Sequence, residues 1–515
     1  MKKMLVLLLV VFTIAALGLG CSQGPDEETS PGEETSPGEE TQADRELVVG
    51  LPQATNNFDP YGSYGDETLG HMQVYDTLVV KDSEGKIAPS LAENYEISAD
   101  GTTYTFYLRQ GVMFSNDLEF KAADAKFAID KGTESSYTNW AMTGVTGCEV
   151  IDDYTIEVYL SRPDVSFFEK LTWIFVVNEE TFNEYGDTYG QTIETTIGTG
   201  PYVIEEWKAG EMVTFVANPD YFQGAPAIEK VIFKSISDTN AAVIALQTGE
   251  IGLYLKDVPG IAVETLASSE EVTLTDFSSY VLMDIVMNCE NGPFTDIRLR
   301  QAVAYATDRQ KMLQVGAEGQ GTIVDYPGGP DYTGNPNINE FYQMDIEKAK
   351  QLVIDAGMEG ATVTIKTMTT DPWPKLATSL QDDLSKIGLV AKVEQLEMNA
   401  YSQDVWQNAQ YEIAISRYWS GTKDMSETMS LLESGGSMNF SRYANPAIDP
   451  FLAEASAELD TDIRKQLYTE VIAIFTEDVP LIPLYYTKGT RAYSSDLTVE
   501  PGNVQYDRIY YYSWK

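Results

Sequence analysis

Apolar and polar residues alternate along several short stretches of the chain from about residue 47 onward. Residues 104–109 alternate as a half-buried strand does, and the Asp100-Gly101 dipeptide just before them predicts a hairpin turn. Residues 151–158 predict a second hairpin, which places Cys148 on an adjacent strand. Residues 203–204 and 213–216 flank a polar tip at 208–210 and predict a third.

Other stretches carry apolar residues at helical spacing. One runs from 299 to 313, and residues 345–357 form an amphipathic stretch that ends at a glycine. Residues 238–240 are good capping residues for a short apolar helix. The last long helix stops before Pro480 and carries Ile463, Leu467, Val471, Ile474 and Phe475. The pattern as a whole predicts an α/β protein, and 515 residues suffice for two or three compact lobes.

The N-terminus has the pattern of a secretory signal peptide. Lys2 and Lys3 precede an apolar run at 4–19, which is shorter than the roughly 20 residues that span a bilayer. Small residues then lead to Cys21, which resembles the cleavage site of a bacterial lipoprotein. We therefore predict a signal peptide at 1–20 and a lipid-modified Cys21; a plain secreted protein with a leftover cysteine is the alternative.

Residues 21–46 are predicted to be an acidic, flexible linker, because the repeated Glu-Glu-Thr-Ser-Pro-Gly has no apolar face to bury. The chain has a net charge of -45. Removing Lys2 and Lys3 gives -47, and setting aside the eight acids between Ser22 and Asp44 leaves -39 for the body. Such a body repels nucleic acid, so we expect no nucleic-acid partner.

Several motifs recur in an order that resembles a known family. They are GTGPY at 198–202 with NPDYF at 218–222, LAENYEISADGTTYTFYLRQGVMF at 91–114, and PFTDIRLRQAVAYATDRQKML at 293–313. Together they resemble the family 5 extracellular solute-binding proteins, the oligopeptide and dipeptide receptors of ATP-driven importers. One departure is Lys121 at the start of a helix near Ala122, where the family has a threonine cap, so this helix is expected to be less well capped.

The resemblance implies a type II periplasmic-binding-protein fold of the large, three-lobed form with a hinged ligand cleft. Lobe I would comprise residues 45–88, 195–287 and 485–515, lobe II residues 89–194, and lobe III residues 288–484. The implied function is capture of an oligopeptide or dipeptide and its delivery to a membrane permease with ATPase subunits. The protein would be a monomer, lipid-anchored to the outer face of the cytoplasmic membrane, on its periplasmic or extracellular side.

The sequence offers little for catalysis, and we predict neither enzyme activity, nor a cofactor, nor a metal site. His71 is the only histidine and is expected to be an ordinary polar residue near lobe I. No nucleophile elbow, phosphate-binding loop, dinucleotide fingerprint or calcium loop occurs. Cys148 and Cys289 are expected to be reduced, with a disulfide as the alternative. A hydrolase with a two-carboxylate cleft and a surface adhesin or receptor on the same fold are the alternatives from other classes.

In the peptide receptors of this family an aspartate after a tryptophan binds the ammonium group of the ligand. Here the matching passage carries Thr422 at that position, and Asp424 could replace it only if the loop is shifted. A threonine cannot neutralise a buried ammonium, so a non-peptide solute such as an opine, oligosaccharide or metal chelate stays open. The predicted ligand-binding residues are Tyr64, Tyr280, Met283, Arg417, Trp419, Ser420, Gly421, Thr422 and Asp424.

Overall fold

The computed structural model describes residues 46–63, 67–82, 84–258, 260–339, 341–499 and 508–515. The predicted signal peptide, Cys21, the linker up to residue 45 and Tyr64 lie outside the described residues. Within the described ranges, no helix combines the length and the apolar character that crossing a bilayer requires.

The chain contains both strands and helices, as the sequence pattern predicted. The strands are β1 (Leu47–Leu51), β2 (Val79–Lys81), β3 (Ile87–Pro89), β4 (Ala92–Ile97), β5 (Thr103–Leu108), β6 (Val145–Asp152), β7 (Thr155–Leu160), β8 (Tyr202–Lys208), β9 (Met212–Ala217), β10 (Lys230–Ser235), β11 (Leu253–Tyr254), β12 (Val272–Met287), β13 (Gly321–Ile323), β14 (Thr362–Met368), β15 (Val390–Leu396), β16 (Ile413–Trp419), β17 (Leu481–Ser494), β18 (Leu497–Thr498) and β19 (Ser513–Trp514). The helices are α1 (Thr68–Val74), α2 (Ala122–Glu134), α3 (Phe167–Leu171), α4 (Glu179–Tyr185), α5 (Thr239–Gln247), α6 (Gly260–Leu266), α7 (Ile297–Ala306), α8 (Arg309–Ala317), α9 (Ile346–Asp355), α10 (Trp373–Lys386), α11 (Met398–Tyr401), α12 (Met425–Met429), α13 (Asp449–Ala457) and α14 (Thr461–Asp478).

In the described part of the chain, eleven strands form one large mixed sheet. Its order is β15-β14-β16-β12-β17-β11-β1-β10-β9-β8, and β13 pairs with β17. The two long strands β12 and β17 lie side by side and antiparallel at the centre. Their pairing is interrupted between Ser278 and Leu282, so the sheet has two well-paired portions joined by an irregular stretch.

A separate four-stranded antiparallel sheet has the order β4-β5-β7-β6. It confirms two predicted hairpins and places Cys148 on β6, opposite Val158 of β7. The third predicted hairpin is β8 and β9. Gly101 adopts a positive φ of 70° in the turn before β5, which an Asp-Gly dipeptide permits at low cost.

Buried apolar side chains form three clusters. One is built from residues between 282 and 486, a second from residues 47–255 together with 493–512, and a third from residues 242–272 with Ala492. Each cluster excludes its own apolar area from water and so stabilises its own part of the fold. The boundaries of the three lobes stay a prediction.

Helix starts follow the capping residues of the sequence. Asp238 accepts a hydrogen bond from Ala241 N and begins α5, and Asp345 caps α9 in the same way. The apolar stretch at 299–313 forms two helices rather than one, because Asp308 accepts from Lys311 N and begins α8.

The start of α2 is better capped than the sequence suggested. Lys121 supplies no side-chain cap, but its backbone N–H donates to Asp124 Oδ2 at 2.9 Å. Asp124 Oδ1 also accepts hydrogen bonds from Asn178 Nδ2 and Glu179 N. The carboxylate at the third helical position therefore supplies one half of a capping box, whereas the half that a threonine side chain would supply is absent.

The glycines of the GTGPY motif let the chain pass close to the end of α1. A Cβ on Gly198 would lie 2.0 Å from the backbone oxygen of Val74, and one on Gly200 would lie 2.4 Å from the same atom. Gly200 N donates to that oxygen at 2.8 Å. Between the two glycines, Thr199 Oγ1 donates to the buried Asp76 carboxylate. Only glycine fits both positions.

Candidate functional site

Residues 419–424 form a loop that leaves the sheet at the end of β16 and enters α12. Asp424 begins α12 by accepting a hydrogen bond from Ser426 N at 2.8 Å. The same carboxylate forms a buried ion pair with Arg464 of α14, and Asp424 is 3% exposed. Its charge is therefore balanced inside the protein.

Two polar groups of the loop donate hydrogen bonds to Glu427, which was not among the residues predicted from the sequence. Thr422 Oγ1 donates to Glu427 Oε2 at 2.6 Å, and Gly421 N donates to Glu427 Oε1 at 2.7 Å. Burial raises the pKa of Glu427, and these two hydrogen bonds oppose the rise. The spacing of Asp424 and Glu427 is that of a capping box, which is the signal that could have drawn attention to Glu427.

Three tryptophans meet at this loop. Trp419 packs edge to face against Trp140, with ring centroids 5.5 Å apart, and against Trp173 at 5.9 Å. Trp140 and Trp173 are 6.3 Å apart, and all three side chains are half-buried. Trp173 Nε1 donates to Gly421 O at 3.0 Å. We call Trp140, Trp173 and Trp419 the tryptophan cluster; it joins predicted lobes II and III.

Further contacts join the stretch around α3 to the same loop. Glu169 Oε2 accepts hydrogen bonds from Lys423 N at 3.0 Å and from Lys81 Nζ at 2.9 Å. One carboxylate of predicted lobe II thus contacts residues of the other two predicted lobes. Val165 N donates to Ser456 O at 3.1 Å nearby.

The structure brings some of the predicted site residues together. Trp419, Ser420, Gly421, Thr422 and Asp424 share the loop, and Ser420 Oγ donates to Thr422 O. Their role in binding a ligand stays a prediction.

Two other predicted site residues, Met283 and Arg417, lie opposite each other on β12 and β16. Met283 is 4% exposed and packs in the core cluster, whereas Arg417 is exposed. The backbone of Tyr280 belongs to β12, but its side chain lies outside the described residues.

A buried carboxyl group lies on β12 behind this loop. Asp284 pairs with Ser416 of β16 and is 3% exposed. Its Oδ1 has no hydrogen-bond partner among the described residues. Burial raises the pKa of Asp284 to about 7, against a hydrogen bond from Ser416 that lowers it. This residue could not be found from the sequence, because alternation along β12 does not reveal which face is covered.

The histidine and the two described cysteines lie outside the 419–424 loop. His71 is buried, and burial lowers its pKa to about 4, so the ring is neutral at pH 7. Cys148 and Cys289 are both free thiols, which agrees with the reduced state predicted for them. Among the described residues, no group of three or more His, Cys, Asp or Glu side chains is placed to hold a metal ion.

The comparison with known proteins decides the family. The family model of bacterial extracellular solute-binding proteins, family 5 middle region, matches residues 86–440 of the chain. The chain belongs to this family. The resemblance inferred from the sequence motifs is thereby confirmed.

Two relatives are similar along most of the chain. The glutathione-binding protein GsiB of Salmonella typhi is 27% identical over 481 residues, which cover 88% of this chain and 92% of that protein. Heme-binding protein A of Haemophilus influenzae is 29% identical over 457 residues, which cover 81% of this chain and 82% of that protein. Members of family 5 with such similarity thus differ in the solute for which they are named.

Solved structures confirm the predicted fold. The periplasmic binding protein DppA from Helicobacter pylori, in complex with the peptide STSA, matches with a TM-score of 0.77 at 26% identity. The match covers 91% of this chain and 98% of that structure. This family 5 protein therefore has the α/β type II periplasmic-binding-protein fold.

Proposed function

We propose that this protein is the solute receptor of an ATP-driven importer and that it captures an oligopeptide or dipeptide at the 419–424 loop. The observation that carries the proposal is the tryptophan cluster. Half-buried aromatic faces from two predicted lobes supply contact area at low entropic cost, which is typical of small-ligand sites. The similarity to a DppA structure that holds a peptide supports the choice of ligand class.

The contacts across the predicted lobe boundary suit a reversible closure. Trp173 Nε1 donates to Gly421 O, and Lys423 N donates to Glu169 Oε2. A few such hydrogen bonds contribute on the order of 1 kcal/mol each, so a solute that binds both lobes can shift the equilibrium toward the closed form. The irregular pairing between β12 and β17 at 278–282 is our candidate for the hinge.

The further parts of the proposal concern the cell envelope. Cys21 would carry a lipid, and residues 21–46 would tether the folded body to the outer face of the cytoplasmic membrane. The loaded monomer would then dock on a permease whose partner ATPase drives import. We expect no catalysis and no bound cofactor, because the site is built from aromatic faces and internally paired carboxylates.

A second candidate keeps the receptor role and changes the ligand to a non-peptide solute, such as an opine, an oligosaccharide or a metal chelate. Thr422 has no charge, and its hydroxyl is used by Glu427. Asp424 is held by Arg464. Releasing a buried carboxylate from its partner to bind a ligand ammonium would cost several kcal/mol. These observations favour a solute without a free α-amino group at this loop.

Native mass spectrometry of the protein, purified without denaturation, tests both candidates. A co-purified mass or mass ladder that fragments as a peptide is expected; a single non-peptide mass would support the second candidate instead. If no mass co-purifies and no peptide, sugar, opine or metal-chelate library raises the melting temperature, the receptor role is refuted.

Thr422→Asp, with Thr422→Asn as the uncharged control, sharpens the distinction. If the wild-type ligand is not a peptide, only the aspartate variant is expected to gain binding of the dipeptide Met-Leu. N-acetylated Met-Leu should gain nothing in either variant, because it lacks the ammonium group.

A further inference from the structure

The Nε1–H group of Trp140 lies in the tryptophan cluster. Its nitrogen is buried and has no hydrogen-bond partner within the described ranges of the chain. Trp173, in the same cluster, instead donates to Gly421 O. Buried N–H groups in folded proteins are almost always paired, so the unpaired one requires an explanation.

Trp140 also occupies the space directly over the loop. A Cβ on Gly421 would lie 2.2 Å from two ring carbons of Trp140, so the indole rests on the bare backbone of this glycine. Its other neighbours in the cluster are Trp173 and Trp419, both in edge-to-face contact. The ring therefore fills the region in which the proposed function places the solute.

We propose that Trp140 is a solute-binding residue whose Nε1–H donates a hydrogen bond to a carbonyl or carboxylate oxygen of the bound solute. The inference rests on the proposed receptor function and names the ligand chemistry: an acceptor oxygen presented to the Nε1 edge of Trp140, which is the edge opposite the ring carbons that contact Gly421. In the structure the indole contacts Gly421, and its Nε1–H has no partner among the described residues. Binding pairs the donor and removes the cost of leaving it buried and unpaired.

Trp140 and Trp173 have similar surroundings, but among the described residues only the Nε1–H of Trp173 has a hydrogen-bond partner. A solute that pairs with Trp140 accounts for this difference. Trp173 is satisfied by the loop itself through Gly421 O, and it holds predicted lobes II and III together. Trp140 makes ring contact with the loop, but its Nε1–H donates no hydrogen bond to the described residues of the loop. A donor that lowers the stability of the empty protein can still be favourable if it is paired when the solute is present.

The test compares Trp140→Phe with Trp173→Phe in the otherwise unchanged protein. The probe is the solute that wild-type protein releases on heating, and its dissociation constant is measured by titration calorimetry after the protein is emptied. We expect about a fivefold weaker affinity for Trp140→Phe, the value of one typical hydrogen bond. The melting temperature of its empty form should fall less than that of Trp173→Phe, because both variants lose ring contacts but only Trp173→Phe loses a donor that has a protein partner.

Trp173→Phe is the matched control, because it removes a donor that already has a protein partner. Its empty form should melt at a lower temperature than wild type. Trp140→His keeps a ring N–H and should bind the probe more tightly than Trp140→Phe. This second variant keeps the test valid if the phenylalanine substitution alone disturbs folding.

The outcomes separate the inference from the function on which it rests. Unchanged probe affinity in Trp140→Phe overturns the assignment of Trp140 while the receptor role stands. The assignment of Trp140 is also overturned if the empty form of Trp140→Phe melts at as low a temperature as that of Trp173→Phe while its affinity for the probe equals that of wild type. If wild type releases no solute and binds none, the proposed function fails and the inference fails with it.

Discussion

Replacing Asp284 with asparagine should remove a pH dependence of stability that the wild-type protein has. Burial raises the pKa of Asp284 to about 7 in the folded chain, from 3.8 in the absence of the fold. The folded state therefore holds this proton at pH values where the unfolded state has released it. By linkage, the contribution of Asp284 to the free energy of unfolding falls as pH rises from about 4 to about 7.

The magnitude follows from the two pKa values. At roughly 1.4 kcal/mol per pH unit, the whole interval corresponds to about 4 kcal/mol, of which roughly 2 to 3 kcal/mol lies between pH 5 and pH 8. Because Asp284 is 3% exposed, solvent screening reduces this little. The free energy of unfolding of Asp284→Asn, taken relative to that of wild type, should therefore increase by roughly 2 to 3 kcal/mol from pH 5 to pH 8.

Urea unfolding followed by tryptophan fluorescence at half-unit pH steps measures the effect. The control is Asp276→Asn on the same strand, because the hydrogen bond from Lys488 lowers the pKa of Asp276. Asp276 stabilises the fold above its unfolded pKa and loses that contribution only in acid, so its variant should parallel wild type from pH 5 to pH 8. If the free energy of unfolding of Asp284→Asn changes with pH in parallel with that of wild type, the reasoning is refuted.

Two further predictions concern single contacts. Gly198→Ala should lower the free energy of unfolding by at least about 3 kcal/mol, because its Cβ would overlap the backbone oxygen at the end of α1. Gly147→Ala on β6 meets nothing within 4 Å and should change stability by less than about 1 kcal/mol; equal losses in chemical denaturation would contradict the packing argument. Asp424→Asn should cost about 3 to 5 kcal/mol, because it leaves Arg464 buried without its partner. Asp331→Asn, which breaks a partly exposed pair, should cost less than about 1 kcal/mol, and a similar melting temperature for both variants would refute the contrast.

Much of the local structure could be predicted from the sequence. Alternation and the Asp100-Gly101 turn predicted the hairpins, because strand faces and turn geometry depend on neighbouring residues. Asp238 and Asp345 marked helix starts for the same reason, since a cap bonds only two or three residues along the chain. The motif order predicted the family and hence the fold, which the comparisons confirm.

The candidate site could be predicted only in part. The loop at 419–424 was found because it matches, as one contiguous passage, the ligand-binding stretch of the family that the chain resembles. Whether Asp424 is free for a ligand depends on Arg464, which is 40 positions away. The split between α7 and α8 was missed because helical spacing continues across it, although the cap at Asp308 is as local as those at Asp238 and Asp345.

What the sequence determined by itself is therefore local: strand alternation, turns, caps and the motifs that reveal the family. The tertiary structure alone decided which side chains meet across the predicted lobe boundary and which charges are buried. Trp173 and Gly421 are 248 positions apart, and no local pattern relates them. The unpaired donor of Trp140 and the raised pKa of Asp284 both arise from removal of water by distant parts of the chain, which only the folded packing produces.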